Sequence, residues 1–253
     1  ALVDITNLLT MDLGRPLHVF DVDKLDGDIQ ARMAMPGEKL LALNGKEYEL
    51  DPEMCVIADN SKVEALGGII GGEDSGCIET TTNVYVECAY FDPIRTATTG
   101  RKLQIISDAR FRFERGVDPA FLETGMEMAT RLIMDLSGGE PSTIINTGSE
   151  IDWKRDITLR PNRIKSLGGI DIPLEEIERI LIVLGFGVGG ENGSFRVTIP
   201  SWRSDIVGEA CLVEEVVRIY GFDKIPPVPI RADSGLPQNA FLAEQKRHSQ
   251  ARR

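Results

Sequence analysis

Four clusters of side chains in this sequence are able to do chemistry. The first is Thr6-Asn7 with Gly14-Arg15-Pro16-Leu17-His18, which sets a hydroxyl, an amide and an imidazole among apolar neighbours. His18 is the one histidine outside the tail. An imidazole can move a proton near neutral pH, although a single histidine is more often structural than catalytic. The second cluster runs from Gly67 to Ser75, where Gly67, Gly68, Gly71 and Gly72 either let a ligand lie against main-chain amides or simply form a bulge. It lacks the Gly-x-x-x-x-Gly-Lys-Ser/Thr pattern, so a nucleotide phosphate loop has no support.

The third cluster is one residue, Glu87, in the apolar run Val84-Tyr85-Val86-Glu87-Cys88-Ala89-Tyr90-Phe91. Two-residue alternation puts Glu87 on a face with Tyr85 and Ala89, opposite Val86 and Cys88. That face is either solvated or buried, and a buried carboxylate must find a partner. The fourth is acidic: Asp205, Glu209, Glu214 and Glu215. Several carboxylate oxygens together suit magnesium, and the same residues also suit a solvated helix face. No Ser-His-Asp signature accompanies these groups.

The elements that must position them follow from hydrophobic patterning. Up to about residue 150 the chain reads mainly as strands and turns with few helices. Ile29, Ala31, Met33 and Met35 alternate with polar or small residues, and Lys39 to Leu43 and Lys46 to Leu50 flank Asn44-Gly45, a strong hairpin signal. Cys55 to Ala58 and Val84 to Phe91 are further strand-length runs. One helix is expected after Asp118-Pro119, with a stripe of Leu122, Met126, Ala129, Ile133 and Leu136 facing the core, ended by Gly138-Gly139.

The polar stretch Thr147 to Asp156 suggests a boundary. Beyond it, Leu174 to Leu184 reads as a helix closed by Gly185, and Phe195 to Ile199 as a strand reached from Val188 through a glycine-rich hairpin turn. A last helix is expected from about Ile206 to Tyr220, with Glu214 and Arg218 paired at i, i+4. The expected fold is therefore α+β: a mainly β domain with packed helices over 1–150, a small winged-helix-like α+β domain over 151–228, and a linker or tail over 229–253.

Composition limits the function classes. The chain has 253 residues, 42% of them apolar and 27% charged, which is the balance of a folded globular protein. Its 28 basic and 40 acidic residues leave a formal charge of −12, the wrong sign for a surface that itself drives nucleic-acid binding. Four cysteines without a Cys-x-x-Cys pair exclude zinc-finger spacing and favour a reducing, cytosolic setting. No apolar run approaches the ~18 residues of a membrane span, and no leader pattern opens the chain. Ala1 runs directly into Leu2-Val3-Asp4-Ile5, which reads as a piece of something longer.

Val3-Asp4-Ile5-Thr6-Asn7 and Gly14-Arg15-Pro16-Leu17-His18-Val19-Phe20-Asp21 resemble the β subunit of bacterial phenylalanyl-tRNA synthetase. The resemblance continues, in the family's order, through Gly68 to Ser75, Ser107 to Pro119, Pro200-Ser201-Trp202-Arg203-Ser204-Asp205 and Leu212 to Asp223. It implies that the first region is an editing module, which hydrolyses tyrosine mischarged on tRNA-Phe, and the second a helix-turn-helix-like module. It also implies a cytoplasmic partnership with the α subunit in a heterotetramer of two α and two β chains, with no membrane contact. Aminoacylation and ATP would belong to the whole ligase, leaving this piece at most a deacylase.

Carried onto matching positions, the resemblance assigns catalytic roles to Thr6, Asn7, His18 and Ser107, the last standing where many relatives carry threonine. It assigns substrate binding to Glu87, Gly68, Gly71 and Ala109. Glu87 would accept the tyrosine hydroxyl, and the small residues would leave room for the ring. A family arginine upstream of Thr-Asn falls before Ala1. Asp205, Glu214 and Glu215 match a magnesium site shared with the α subunit, with Cys211 where a fourth carboxylate is usual. Two other readings remain: a subunit-interface scaffold with a degenerate pocket, and a nucleic-acid-binding module built on the second region.

Overall fold

The computed structural model describes residues 1–190, 193–229 and 241–252. The chain opens with a helix that the sequence pattern does not announce, α1 (Leu2–Leu13), stopped by Gly14 in the left-handed conformation at φ 65°. Only Ile5 and Leu9 on it form an apolar buried pair, too short a stripe to read, and they pack against Ala129, with Leu17, Leu132 and Ile133 around them.

The strands follow: β1 (His18–Asp21), β2 (Gln30–Met33), β3 (Lys39–Leu41), β4 (Glu47–Glu49), β5 (Cys55–Ala58), β6 (Val63–Leu66), β7 (Ile70–Gly71) and β8 (Val84–Glu87). All pairings are antiparallel: a four-stranded sheet in the order β2-β5-β6-β7, the pair β1-β8 and the hairpin β3-β4. The Asn44-Gly45 hairpin forms as expected, as a three-residue loop. Gly45 takes φ 73° and donates to the Ala42 carbonyl, while the Ala42 N–H reaches Lys46. The run Val84 to Phe91 is a strand only as far as Glu87.

Three helices then cover the sheets: α2 (Pro93–Lys102), α3 (Asp108–Phe113) and α4 (Leu122–Ser137). With α1 that is more helix than the strand-rich reading of this region expected. Helix α4 lies where expected, but Asp118 and Pro119 begin a separate 3-10 turn, Pro119–Phe121, whose Ala120 N–H donates to Asp118, and α4 itself starts after Phe121 without a side-chain cap. Its stripe is only partly core, because Ala129 is buried while Leu136 lies at the exposed end. Phe20, Ile57, Ala65, Phe91, Phe113 and Val117 form the core beneath β1 and α3.

Residues 139–155 have no regular structure, and a second core begins after them. Here β9 (Asp156–Leu159), β10 (Gly187–Gly189) and β11 (Phe195–Thr198) pair in the order β10-β11-β9, packed by α5 (Pro161–Gly168), α6 (Leu174–Val183) and α7 (Glu209–Tyr220). Ile164, Ile177, Leu181, Val197, Leu212 and Val216 fill this core. Helix α7 begins at Glu209, three residues later than expected, leaving Ile206 buried in the preceding turn. The turn between β10 and β11 includes 191 and 192, which lie outside the described residues, as do 230–240 of the expected linker. Part of that tail is not irregular chain: Ala243–Ala251 is an exposed helix, α8. Ser204 Oγ donates to the Arg115 carbonyl at 2.9 Å, joining the two regions beside Gly116.

Candidate active site

The register of β1 against β8 places His18 directly opposite Glu87 and Phe20 opposite Tyr85, so all four side chains share one face. The His18 ring meets Phe20 edge-on, with centroids 4.4 Å apart. On another flank it fills the space above Gly71: a Cβ at position 71 would lie 2.3 Å from His18 Cε1 and 2.7 Å from Nε2. Gly71 therefore admits the imidazole, and no other residue type does without displacing it.

Burial lowers the His18 pKa to about 4, so the ring is neutral at pH 7, and its Nε2 is buried with no hydrogen-bond partner among the described residues. Glu87 is half-buried, and desolvation raises its pKa to about 7. No ion pair or hydrogen bond joins them among the described residues. A neutral imidazole whose buried Nε2 makes no hydrogen bond among the described residues faces the same way as a carboxyl that titrates near neutrality. Such a pair can orient a water on one side and receive a hydroxyl on the other.

The glycine loop lies alongside. Ser107 caps α3, its Oγ accepting from the Arg110 N–H at 3.0 Å and donating to the Ile69 carbonyl at 2.6 Å, which ties that helix to the loop. Gly68 has φ 70°, and a Cβ there would lie 2.8 Å from Phe91 and 3.1 Å from Phe113. Ala109 packs against the cluster containing those two rings. The small residues were expected to leave room for a substrate ring; instead the protein's own rings occupy it, Phe91 and Phe113 over Gly68 and His18 over Gly71. A cavity of about 10 Å³, lined by Cys55, Gly67, Ile69, Phe91 and Thr99 among others, holds at most a water and touches neither His18 nor Glu87.

Thr6 and Asn7 lie on α1. Thr6 Oγ1 donates to the Val3 carbonyl at 2.9 Å, Asn7 is exposed, and neither bonds to His18, Glu87 or Ser107 among the described residues. Helix α1 runs close to α3 one turn further on, where Arg112 reaches Met11 Sδ at 3.5 Å. The structure thus joins His18, Glu87 and Gly71, links Ser107, Ala109 and Gly68 around Phe113 and the loop, and leaves Thr6 and Asn7 apart.

Of the buried charged residues outside the candidate set, Arg15, Asp21, Asp59 and Glu64, two are the most enclosed. Arg15 is 1% exposed, and Glu64 is 1% exposed, its Oε1 accepting no hydrogen bond among the described residues and lying 3.8 Å from Lys62 Nζ, with a pKa raised by burial. A charge inside Val63-Glu64-Ala65-Leu66 was the available signal for the second. Gly14-Arg15-Pro16 gave no comparable one for the first, because loop arginines are ordinarily solvated.

The acidic cluster is organised by arginines. Arg203 grips Asp205 with Nε at 2.8 Å and Nη2 at 2.6 Å, and its Nη1 reaches Glu215 at 3.1 Å. Arg218 pairs with Glu215 at 2.8 Å, an i, i+3 contact in place of the expected i, i+4 pair with Glu214, which is exposed. Glu209 is taken by Arg160 at 2.6 Å. Magnesium needs unengaged hard oxygens, and here guanidinium groups already use those of Asp205 and Glu215. Among the described residues no three His, Cys, Asp or Glu side chains form a group able to hold a metal, so Asp205, Glu214 and Glu215 do not fit the expected site.

Comparison with known proteins agrees with the sequence resemblance. Residues 1–138 match the family model described as the B3/4 domain, and 157–222 match that of the tRNA synthetase B5 domain. The chain is 55% identical, over its whole length and 32% of the relative's, to a protein named phenylalanine–tRNA ligase beta subunit from Paramagnetospirillum magneticum. It is 52% identical to the one from Nitrobacter winogradskyi, again over its whole length and 31% of the relative's. A looser likeness is to the crystal structure of an N-terminal fragment of the phenylalanyl-tRNA synthetase beta-subunit from Pyrococcus horikoshii, with a TM-score of 0.40 and 16% identity over 87% of this chain and 65% of that one. Spanning about a third of the curated relatives it matches, the chain belongs to the B3/4 domain family and continues into a B5 domain, as a part of the phenylalanine–tRNA ligase beta subunit.

Proposed function

We propose that the His18–Glu87 face is a proofreading site that hydrolyses tyrosine esterified to tRNA-Phe. The observation that carries this is the cross-strand pair itself, two titratable groups side by side with shifted pKa values and a buried ring nitrogen that makes no hydrogen bond among the described residues. Tyrosine and phenylalanine differ by one hydroxyl, and a site built to hydrogen-bond that hydroxyl can discriminate by ~10⁴ or more, which a merely apolar pocket cannot do. Glu87 supplies the acceptor. His18 Nε2, neutral at physiological pH, holds the attacking water, and Ser107 fixes the glycine loop against which the ester lies. Water attacks directly, without a covalent intermediate.

In this reading 1–150 is the editing domain, 151–228 the helix-turn-helix-like domain and 229–253 a tail, which the two family-model spans and the two separate cores support. The α subunit and tRNA-Phe are partners of the whole ligase, where ATP and magnesium serve aminoacylation in the cytoplasm. The tRNA body is held by other parts of the assembly, in keeping with this chain's net charge of −12.

The scaffold reading gains from one observation, the filling of the space over Gly68 and Gly71 by Phe91, Phe113 and His18. The deciding experiment uses the full-length subunit in its ligase complex. Release of tyrosine from tyrosyl-tRNA-Phe that disappears in Glu87→Ala supports proofreading, and intact tyrosyl-tRNA with the unaltered complex supports the scaffold.

A further inference from the structure

Arg15 has the largest fully enclosed side chain among the described residues, 1% exposed, and no carboxylate there comes within ion-pair distance of it. Burying a cation without a counter-ion is costly, and dipoles must carry the charge instead. Two carbonyls do so: Nη1 donates to Ala89 at 3.0 Å and Nη2 to Asp118. The stem is equally confined, since a Cβ on Gly125 of α4 would lie 3.1 Å from Arg15 Cγ.

The partners matter because of where they stand. Ala89 follows Glu87 by two positions, at the exit of β8. Asp118 caps the turn that leads into α4, and Arg15 itself precedes His18 by three. One guanidinium therefore holds the approach to His18, the departure of the strand bearing Glu87, and the helix behind both. A second stitch supports the same seam from the other face of β8, Cys88 Sγ lying 3.2 Å from the Leu122 carbonyl. The Glu87 side chain makes no hydrogen bond among the described residues, so its place opposite His18 depends on the β1–β8 pairing and on the backbone that Arg15 anchors where β8 ends.

We propose that Arg15 is a positioning residue for tyrosine discrimination, its two carbonyl contacts fixing Glu87 opposite His18. The proposal rests on the proofreading reading. A planar fork can span two carbonyls, and an ammonium cannot reproduce both.

The test compares Arg15→Met and Arg15→Lys with the unaltered full-length subunit, each in the ligase complex, using tyrosyl- and phenylalanyl-tRNA-Phe. Misplacing an acceptor by about an ångström should lower the kcat/KM ratio of tyrosyl over phenylalanyl substrate by about 10- to 100-fold in Arg15→Met, chiefly through KM for the tyrosyl substrate. Arg15→Lys should fall between. A purely structural role would reduce both substrates by one factor that follows the folded fraction in a thermal melt; an unchanged ratio overturns the proposal. If Arg15→Met does not fold, the ratio in Arg15→Lys decides in the same way. Failure of the proofreading reading shows separately, as intact tyrosyl-tRNA with the unaltered complex, and the proposal then falls with it.

Discussion

The two cores of this chain differ in how far their buried charges are paired. Around β1, β6 and β8 several enclosed polar atoms make no hydrogen bond among the described residues: His18 Nε2, Glu64 Oε1, which lies 3.8 Å from Lys62 Nζ, Ser75 Oγ and Arg15 Nε, although the buried Asp21 and Asp59 there do accept hydrogen bonds. Desolvation dominates there, raising Glu64 and Glu87 and lowering His18. Around α7 the carboxylates of Asp205, Glu209 and Glu215 are each held by arginine, and pairing lowers their pKa values. The atoms without a hydrogen bond there are Nε of Arg155, whose Nη2 donates to the Arg203 carbonyl, and Nε of Arg163, which lies 3.6 Å from Glu209 Oε2 as an ion pair. A core that leaves hydrogen-bonding capacity unused is one that a ligand can complete. A core whose charges cancel is finished as a scaffold.

The strongest way to break this contrast is at Glu87. Glu87→Ala should reduce tyrosine-over-phenylalanine discrimination by about 10²-fold or more, because the hydroxyl loses its acceptor; hydrolysis assays with both charged tRNAs measure it. His18→Ala comes next, slowing ester hydrolysis about 10²-fold for both substrates with little change in their ratio. In the second core, Glu215→Ala should cost about 1–3 kcal/mol of stability by freeing Arg203 and Arg218, read from a denaturant midpoint, while leaving hydrolysis unchanged. Loss of hydrolysis in that variant would mean the two cores are not separable in function.

The smallest effect is also the sharpest in sign. Glu87 binds its proton more tightly folded, at about 7 against an ordinary 4.5, so it destabilises the fold as pH rises through that window. Glu87→Gln should therefore stabilise the protein above pH 7, on the order of 1–2 kcal/mol, and have no effect below pH 4. His18 has the opposite sign: at about 4 folded against 6.5, it withdraws stability as pH falls from 6.5 to 4. Melting curves across pH of Glu87→Gln and of His18→Gln separate the two, with Cys55 and Cys88 as the other titratable neighbours of Glu87, both pushed upward by burial.

What the sequence disclosed was local. Asn44-Gly45 and the Gly185 stop of α6 are signals written within a few residues, and each appears in place, while Asp118-Pro119 marks the 3-10 turn just ahead of α4 and not the helix's own cap. Alternation told which residues share a face with Glu87, but not whether that face looks inward, since β1 arrives from almost seventy positions upstream. The same limit explains the acidic cluster. Spacing cannot say that Arg203 folds back between Asp205 and Glu215, nor that Arg218 chooses Glu215 over Glu214. Helix α1 was hidden by its short buried pair, with Val3, Leu8 and Met11 left exposed. Thr6 and Asn7 stood out only as polar groups among apolar neighbours, and the roles given to them, to Ser107 and to Ala109 came from motif resemblance.

The vacancy of a side chain at position 71 has a consequence for descent. A methyl group there and an imidazole at 18 claim the same volume, so a lineage cannot drift at one position while keeping the other. Any relative that acquires alanine at 71 has to surrender or re-seat the histidine in the same step, and loss of activity would be recorded first in the glycine.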